Sequence, residues 1–400
     1  MKATTDTGPA TIRLTDAGPA TITLTDAELD PYVTHAPTRR WLTGPGLPGH
    51  SGVFTFAELR QEGLRTVADS TGEPGPLFAW DLRDQLVIGG LVGPRGLATE
   101  SVLLDGSTGE ISTAYFLHDR HDLMHRRPLA PSLSTLVRFA AATDELACLR
   151  GQFASYAGRF GPKAVADASR QLLAVFEEGA GGEPAPFWKM AALIRPLSLV
   201  AGPGTGSGLA LDLPARLLDQ EFGQGKVARF EDVDFPVALT HEPTRRFLRE
   251  VGLPEDGVLL HLDTDVPLPT LAEHCADGDG VAELPAAAGH LLRVGSLSEG
   301  HSLVLDGATG AVLNWHEREA ALYPLNTDVS TLAFTLWLLH RERVIDKDLA
   351  HELTTHTYDQ LATTMIQVLA SVDPTGATPA PGADWHYWTE LFQDEAGGVL

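Results

Sequence analysis

Short runs with apolar and polar residues in β-type order, bounded by glycine-bearing turns, lead into longer stretches with helical spacing, and the whole succession occurs twice along the chain. Residues 85–92, 101–105 and 110–116 predict three strands, and 290–297, 302–306 and 311–315 predict three more. In each set an Asp-Gly-x-Thr-Gly element, Asp105 to Gly109 and Asp306 to Gly310, joins the last two runs. Glycine accepts positive φ there, so each element reads as a hairpin turn. It is too short and too poor in carboxylates for a calcium loop.

The repetition is literal in places. Residues Thr34 to Pro48 recur as Thr240 to Pro254 with ten identities in fifteen positions and no gap. Val87-Ile88-Gly89 then answers Arg293-Val294-Gly295, and Ser134-Thr135-Leu136 answers Ser330-Thr331-Leu332. The offset between copies falls from 206 to 201 to 196, which places two short deletions in loops of the second copy. Residues 6–14 and 16–24 form a smaller Thr/Ile duplication, of which at most one part is expected to be ordered, as a strand.

The repeated fifteen residues predict a helix with both ends marked. Pro37 and Pro243 fall in the tolerated first turn, while Gly46-Leu47-Pro48 and Gly252-Leu253-Pro254 supply the C-terminal stop. Trp41, Leu42, Phe247 and Leu248 should face the core. The arginine pairs Arg39-Arg40 and Arg245-Arg246 suit either an anionic partner or salt bridges inside the domain, the second being the ordinary role of such pairs. Helices should begin near Ser132 or Ser134, and near Asn326 or Asp328, all N-cap residues. Later helical regions, 164–178 and 348–372, are followed by Trp188 and by Trp385 and Trp388.

Each copy is therefore an α+β domain: a helix, a meandering sheet, then helices. The partition expected is an N-terminal repeat segment at 1–25, partly disordered or one strand, a first domain at 26–198, a Gly-rich linker at 199–209 and a second domain at 210–400.

Charge changes the picture. Of the 400 residues, 29 are Lys or Arg and 53 are Asp or Glu, a net of −24. Residues 1–200 hold 18 against 22, and 201–400 hold 11 against 31, so the second half carries −20. Such a field repels phosphate backbones and attracts basic surfaces, which argues against nucleic acid and for a basic protein partner, with plain solubility as the other reading. Between Val251 and Leu292 there is no Lys or Arg, yet Glu255, Asp256, Asp263, Asp265, Glu273, Asp277, Asp279 and Glu283 all occur. These eight are the candidate partner-binding residues, or else a solvated loop.

Other chemistry finds little support. Cys148 and Cys275 stand far apart without metal-ligand spacing, and no run approaches membrane length, so a reducing, cytoplasmic setting is expected. His118, His121 and His125 invite a metal but lie among Arg120, Arg126 and Arg127. His351 and His356 are five apart, not four as in a zinc-protease helix. Residues 202–208 lack the Gly-Lys-Ser/Thr of a phosphate loop, and no nucleophile elbow is present. Neither catalysis nor a cofactor is expected.

The order Arg-Arg-x-Leu-x-x-x-Gly-Leu-Pro, Val/Ile-Gly strand, Leu-Asp-Gly-x-Thr-Gly hairpin, Ser-Thr-Leu helix and tryptophan-bearing tail resembles the SUKH superfamily, closest to its fourth group of immunity proteins. Glu221-Phe222-Gly223 and Phe235-Pro236 in the second copy are similar to that family's opening segment, where the first copy has its Thr/Ile repeat. The resemblance implies two tandem SUKH-like domains, each with a mostly antiparallel or mixed sheet. It further implies an intracellular, non-enzymatic antidote that binds a cognate protein toxin, such toxins often being nucleases or nucleic-acid deaminases. A scaffold or regulatory interaction module of the same fold is the alternative.

Overall fold

The computed structural model describes residues 21–72, 78–93, 98–117, 124–257, 260–264, 267–276, 284–298, 300–349, 355–379 and 385–396. The chain falls into two compact units, the first closing at Ala140 and the second comprising Ala141–Leu400. The division lies inside the helix Leu133–Ala147.

The sheet of the first unit runs, in spatial order, Phe54–Thr55, Leu86–Val92, Ala98–Leu104, Ile111–Ala114 and Arg127–Ala130, with Arg65–Thr66 also paired to Leu86–Val92. The second unit repeats the plan as Asp256–Gly257, Leu260–Leu262, Leu291–Ser296, His301–Asp306, Val312–His316 and Ala321–Asn326. Every described strand pair is antiparallel. The fold is α+β, as the sequence pattern predicts.

Both faces of each sheet are covered, which is why the strands read as nearly continuous apolar runs. In the second unit Leu292, Val294, Leu303 and Leu305 are fully buried, as are Leu332, Phe334 and Leu338 of the helix Val329–Leu349. Leu291, Val304 and Trp315 form a separate cluster with Leu271 of the short helix Leu271–Ala276. Removing one such leucine from water contributes about 1.5–3 kcal/mol.

The duplication survives to single hydrogen bonds. The helices Ala36–Thr43 and Glu242–Glu250 occupy the repeated segment, each with proline in its first turn. Gly46 and Gly252 follow at φ 72° and 81° and return their N–H groups to Trp41 O and Phe247 O at 2.8 and 2.9 Å. Leu42, Phe247 and Leu248 are buried and Trp41 half-buried. Thr21–Ile22 pairs with Leu47–Pro48 just as Val227–Ala228 pairs with Leu253–Pro254. The second half of the Thr/Ile duplication thus supplies the strand that opens the first copy, while residues 6–14 lie outside the described residues.

Gly89 and Gly295 each sit at a register shift in their strand. A Cβ there would come within 2.4 Å of Thr55 O or His261 O on the neighbouring strand, so the Val/Ile-Gly element is dictated by close backbone approach.

The helices Pro162–Ala180 and Pro186–Ile194, with the 3₁₀ turn Arg195–Val200, close the first copy in sequence but belong to the second compact unit. Phe187, Trp188, Met190, Ala191, Ala192 and Ile194 are all buried, an apolar surface wider than one contact covers. The helix packs against Pro162–Ala180 on one side and Thr355–Val372 on another. The Gly-rich junction is itself structured. Gly202–Pro203 pairs with Leu211–Asp212, and the Ala210 and Leu211 N–H groups donate to Asp328 Oδ2 (2.6 Å) and Ser330 Oγ (3.0 Å), at the start of the helix Val329–Leu349.

Candidate functional site

The repeated arginines serve the fold. Arg39 donates to Val33 O at 3.0 Å and pairs with Asp26 at 3.3 Å; Arg245 donates to Leu239 O at 3.3 Å and pairs with Asp232 at 3.2 Å, over the ring of Phe235. Arg246 donates to Ser207 O. The in-domain reading of these residues is the one the geometry supports.

The acidic stretch divides by role. Thr270 and Glu273 cap the helix Leu271–Ala276 reciprocally, the Thr270 N–H donating to Glu273 Oε2 at 2.8 Å and the Glu273 N–H to Thr270 Oγ1 at 3.2 Å. The Thr270 N–H first, then its hydroxyl at 2.8 Å from Oε2, hold the Glu273 carboxyl below its usual range. Asp263 is half-buried against Arg293, whose Nε also donates to Ser302 Oγ at 3.2 Å. Exposed Asp256 lies 2.8 Å from His261 Nδ1, and Glu255 is half-buried. Asp265, Asp277, Asp279 and Glu283 lie outside the described residues.

A concave site that sequence reading did not single out forms further along the second unit. His301 and His316 are cross-strand neighbours, their rings 4.5 Å apart edge to face. Facing them is the helix Tyr387–Ala396, on which Tyr387, Glu390, Leu391 and Asp394 share one side by their spacing of three, four and seven. Trp385 closes the end, 6.0 Å from the His301 ring and 5.4 Å from that of Tyr323. The open groove between them has a volume of about 470 Å³ and also takes in Ser298 and Glu319.

Its electrostatics are fixed by hydrogen bonds. The Glu319 N–H donates to His316 Nδ1 at 3.1 Å, and the Glu319 carboxylate lies 3.6 Å from the same nitrogen. Burial lowers the pKa of His301, whose Nδ1 lies 3.1 Å from Asn314 Oδ1. Tyr323 donates its hydroxyl to Glu319 Oε2 at 2.6 Å, and the Ser298 N–H donates to the Tyr387 oxygen at 3.0 Å. What remains is aromatic walls with the carboxylates of Glu319, Glu390 and Asp394 at the rim.

Below Trp385 and Tyr387 a cavity of about 10 Å³ is lined by Asn314 and His386. Asn314 is 1% exposed and its Nδ2 has no hydrogen-bond partner. The signal for this site was the amphipathic spacing of the last helix, yet its residues come from three separated parts of the chain.

Among the described residues no group of three or more His, Cys, Asp or Glu side chains is placed to hold a metal ion, and no helix is long and apolar enough to cross a membrane. His118 and His121 lie outside the described residues and His125 is exposed; the side chains of His351 and His356 also lie outside them. Cys148 and Cys275 are free thiols.

The family model described as SUKH-4 immunity protein matches residues 13–193 and again 213–394. Comparison with curated proteins and with solved structures found no match.

Proposed function

Since the chain belongs to the SUKH-4 immunity protein family, in two tandem copies, we propose that it neutralises a cognate bacterial toxin by covering the toxin's working surface, and that this toxin is basic. The double family match carries the reading; the charge supports its second part. Nucleases and nucleic-acid deaminases must present positive grooves to their substrates, and a second half bearing −20 would be drawn to such a groove and would block it. Asp256, Asp265, Asp277, Asp279 and Glu283 are the residues of the acidic stretch assigned to that long-range attraction. Asp263 and Glu273 have structural work of their own.

The setting proposed is the cytoplasm of the producing cell, where a newly made toxin would otherwise act. Copy two makes the main contact in this scheme and copy one braces it or dimerises. The test is co-expression with the toxin encoded beside this gene. Restored growth, together with a stable complex on gel filtration, is the expected outcome; a lethal toxin left fully active by an excess of folded protein would remove the proposal.

A further inference from the structure

Position by position, the residues lining the groove between the His301–His316 pair and the last helix differ from those that answer them in the first copy. The equivalence is fixed by two registers and one aromatic pair. Thr113 faces Arg127 as Asn314 faces Tyr323, and by the same sequence offset Glu100 and Tyr115 answer His301 and His316. Phe187 and Trp188 meet at 4.9 Å and 80°, and Tyr387 and Trp388 at 5.1 Å and 80°. On that alignment Trp385, Glu390 and Asp394 answer Ala185, Met190 and Ile194.

One substitution decides what the groove is for. In the first copy Arg127 sits on the sheet and its guanidinium pairs with Glu100 at 2.6 Å, the Glu100 side chain being only 4% exposed. In the second copy the arginine position is Tyr323. The guanidinium is gone, while the surroundings have gained indole and phenol rings and three rim carboxylates. Among the described residues lining the groove none is Lys or Arg.

We infer that this groove receives an arginine side chain from the bound protein partner. The inference rests on the immunity reading for the partner's identity, but the pocket chemistry stands by itself. A guanidinium stacks on Trp385 or Tyr387 by cation–π attraction, strongest over indole. Its fork of donors meets the carboxylates of Glu390 and Asp394 on one helical side and of Glu319 across the groove. Glu319 is already oriented by the Tyr323 hydroxyl, so little freedom is lost when it takes a cation. Beneath Trp385 and Tyr387 the unpaired Asn314 Nδ2 borders a separate cavity of about 10 Å³, room for one water at most. Arginine, being planar and always charged, fits aromatic walls and paired carboxylates better than lysine does.

The test uses the full-length protein and a short blocked peptide, acetyl-Ala-Arg-Ala-amide, with its citrulline counterpart as the uncharged isostere and the lysine peptide as the second control. Binding is followed by tryptophan fluorescence and by calorimetry. The arginine peptide should bind at least tenfold more tightly than the citrulline peptide. Trp385→Ala and the exposed-residue variant Glu390→Gln with Asp394→Asn should each weaken it at least tenfold at unchanged thermal stability. Equal binding of citrulline, or binding untouched by both variants, overturns the inference, as does binding of lysine tighter than arginine. Co-expression separates this from the broader reading. If the wild-type protein rescues cells and the Trp385→Ala variant rescues them equally, the pocket is not the anchor though immunity stands; if the wild-type protein fails to rescue, immunity falls while the peptide result stands alone.

Discussion

Trp388 donates its indole N–H to Asn326 Oδ1 at 2.8 Å across 62 residues of sequence, and the two side chains are 0% and 1% exposed. Asn326 in turn donates to Asp373 Oδ2 and Thr335 Oγ1, each at 2.9 Å, and Asp373 accepts from the N–H and O–H of Thr327. The last helix is thus tied to the last strand of the sheet and to the end of Thr355–Val372 by one buried network. Trp388→Phe keeps a ring but leaves Asn326 Oδ1 unpaired in the core. That omission costs about 1–3 kcal/mol, and urea unfolding should show it. Paired with Asn326→Ala in a double-mutant cycle, the coupling should reach about 0.5–3 kcal/mol; strict additivity would mean the bond contributes nothing.

The two hairpin turns are locked by the helix of the repeated segment. His35 Nδ1 lies 2.8 Å from Thr38 Oγ1, and His241 Nδ1 is 2.8 Å from Thr244 Oγ1. Against each pair rests the turn glycine, Gly109 at φ 80° or Gly310 at φ 79°, where a Cβ would come within 2.3 Å of the imidazole nitrogen. Gly310→Ala should therefore cost both the positive-φ strain, about 1–3 kcal/mol, and a clash of similar size. Gly225→Ala separates the terms: its φ is also 80°, but nothing lies within 4 Å. Thermal denaturation should place Gly310→Ala well below Gly225→Ala; equal losses would show that the lock adds nothing.

Acid should weaken the protein in two separate windows. Burial pushes the His386 imidazole down to about 4, against 6.5 when exposed. Between those values the unfolded chain binds a proton that the folded one refuses, so stability falls as pH drops from 6.5 to 4, by roughly 3 kcal/mol at about 1.4 kcal/mol per unit. Asp105 is shifted in the same direction, for a different reason. Burial alone would raise it, but the Ser107 hydroxyl and the N–H groups of Thr108 and Ser107 hold it at about 2. Its contribution, present above its ordinary 3.8, is lost as pH falls from there toward 2. His386→Asn should flatten the upper window in urea titrations at pH 7 and 4.5, leaving the lower one.

Local chemistry explains what was legible beforehand. The hairpins followed from Asp105 and Asp306, whose Oδ1 atoms accept from the N–H groups two and three residues on. Helix starts followed from Ser132 and Asp328, which accept from Thr135 and Thr331. The arginine partners were within reach of the same offset: Asp26 and Asp232 are 206 apart, as Arg39 and Arg245 are. The aromatic groove was not legible, because Ser298, His316 and Asp394 meet only through sheet register and the packing of the last helix. Nor does composition reveal that Asp263 is engaged, since Arg293 lies just past the end of the acidic stretch.

That distinction gives the acidic stretch a test of its own. If Asp265, Asp277 and Asp279 act by long-range attraction, changing all three to Lys should slow association with the toxin at least tenfold at low salt, while the dissociation rate changes little. The difference from wild type should shrink as ionic strength rises past about 0.15 M, where screening acts within about 8 Å. Asp263 should behave the other way. Its carboxylate and the Arg293 guanidinium are 24% and 13% exposed, so Asp263→Asn leaves a largely buried cation with half its partners and should lower stability by about 1–3 kcal/mol. Stopped-flow association and urea unfolding on both variants decide the matter. An association rate unaffected by the triple change, over the whole salt series, would leave the acidity of this stretch to solubility alone.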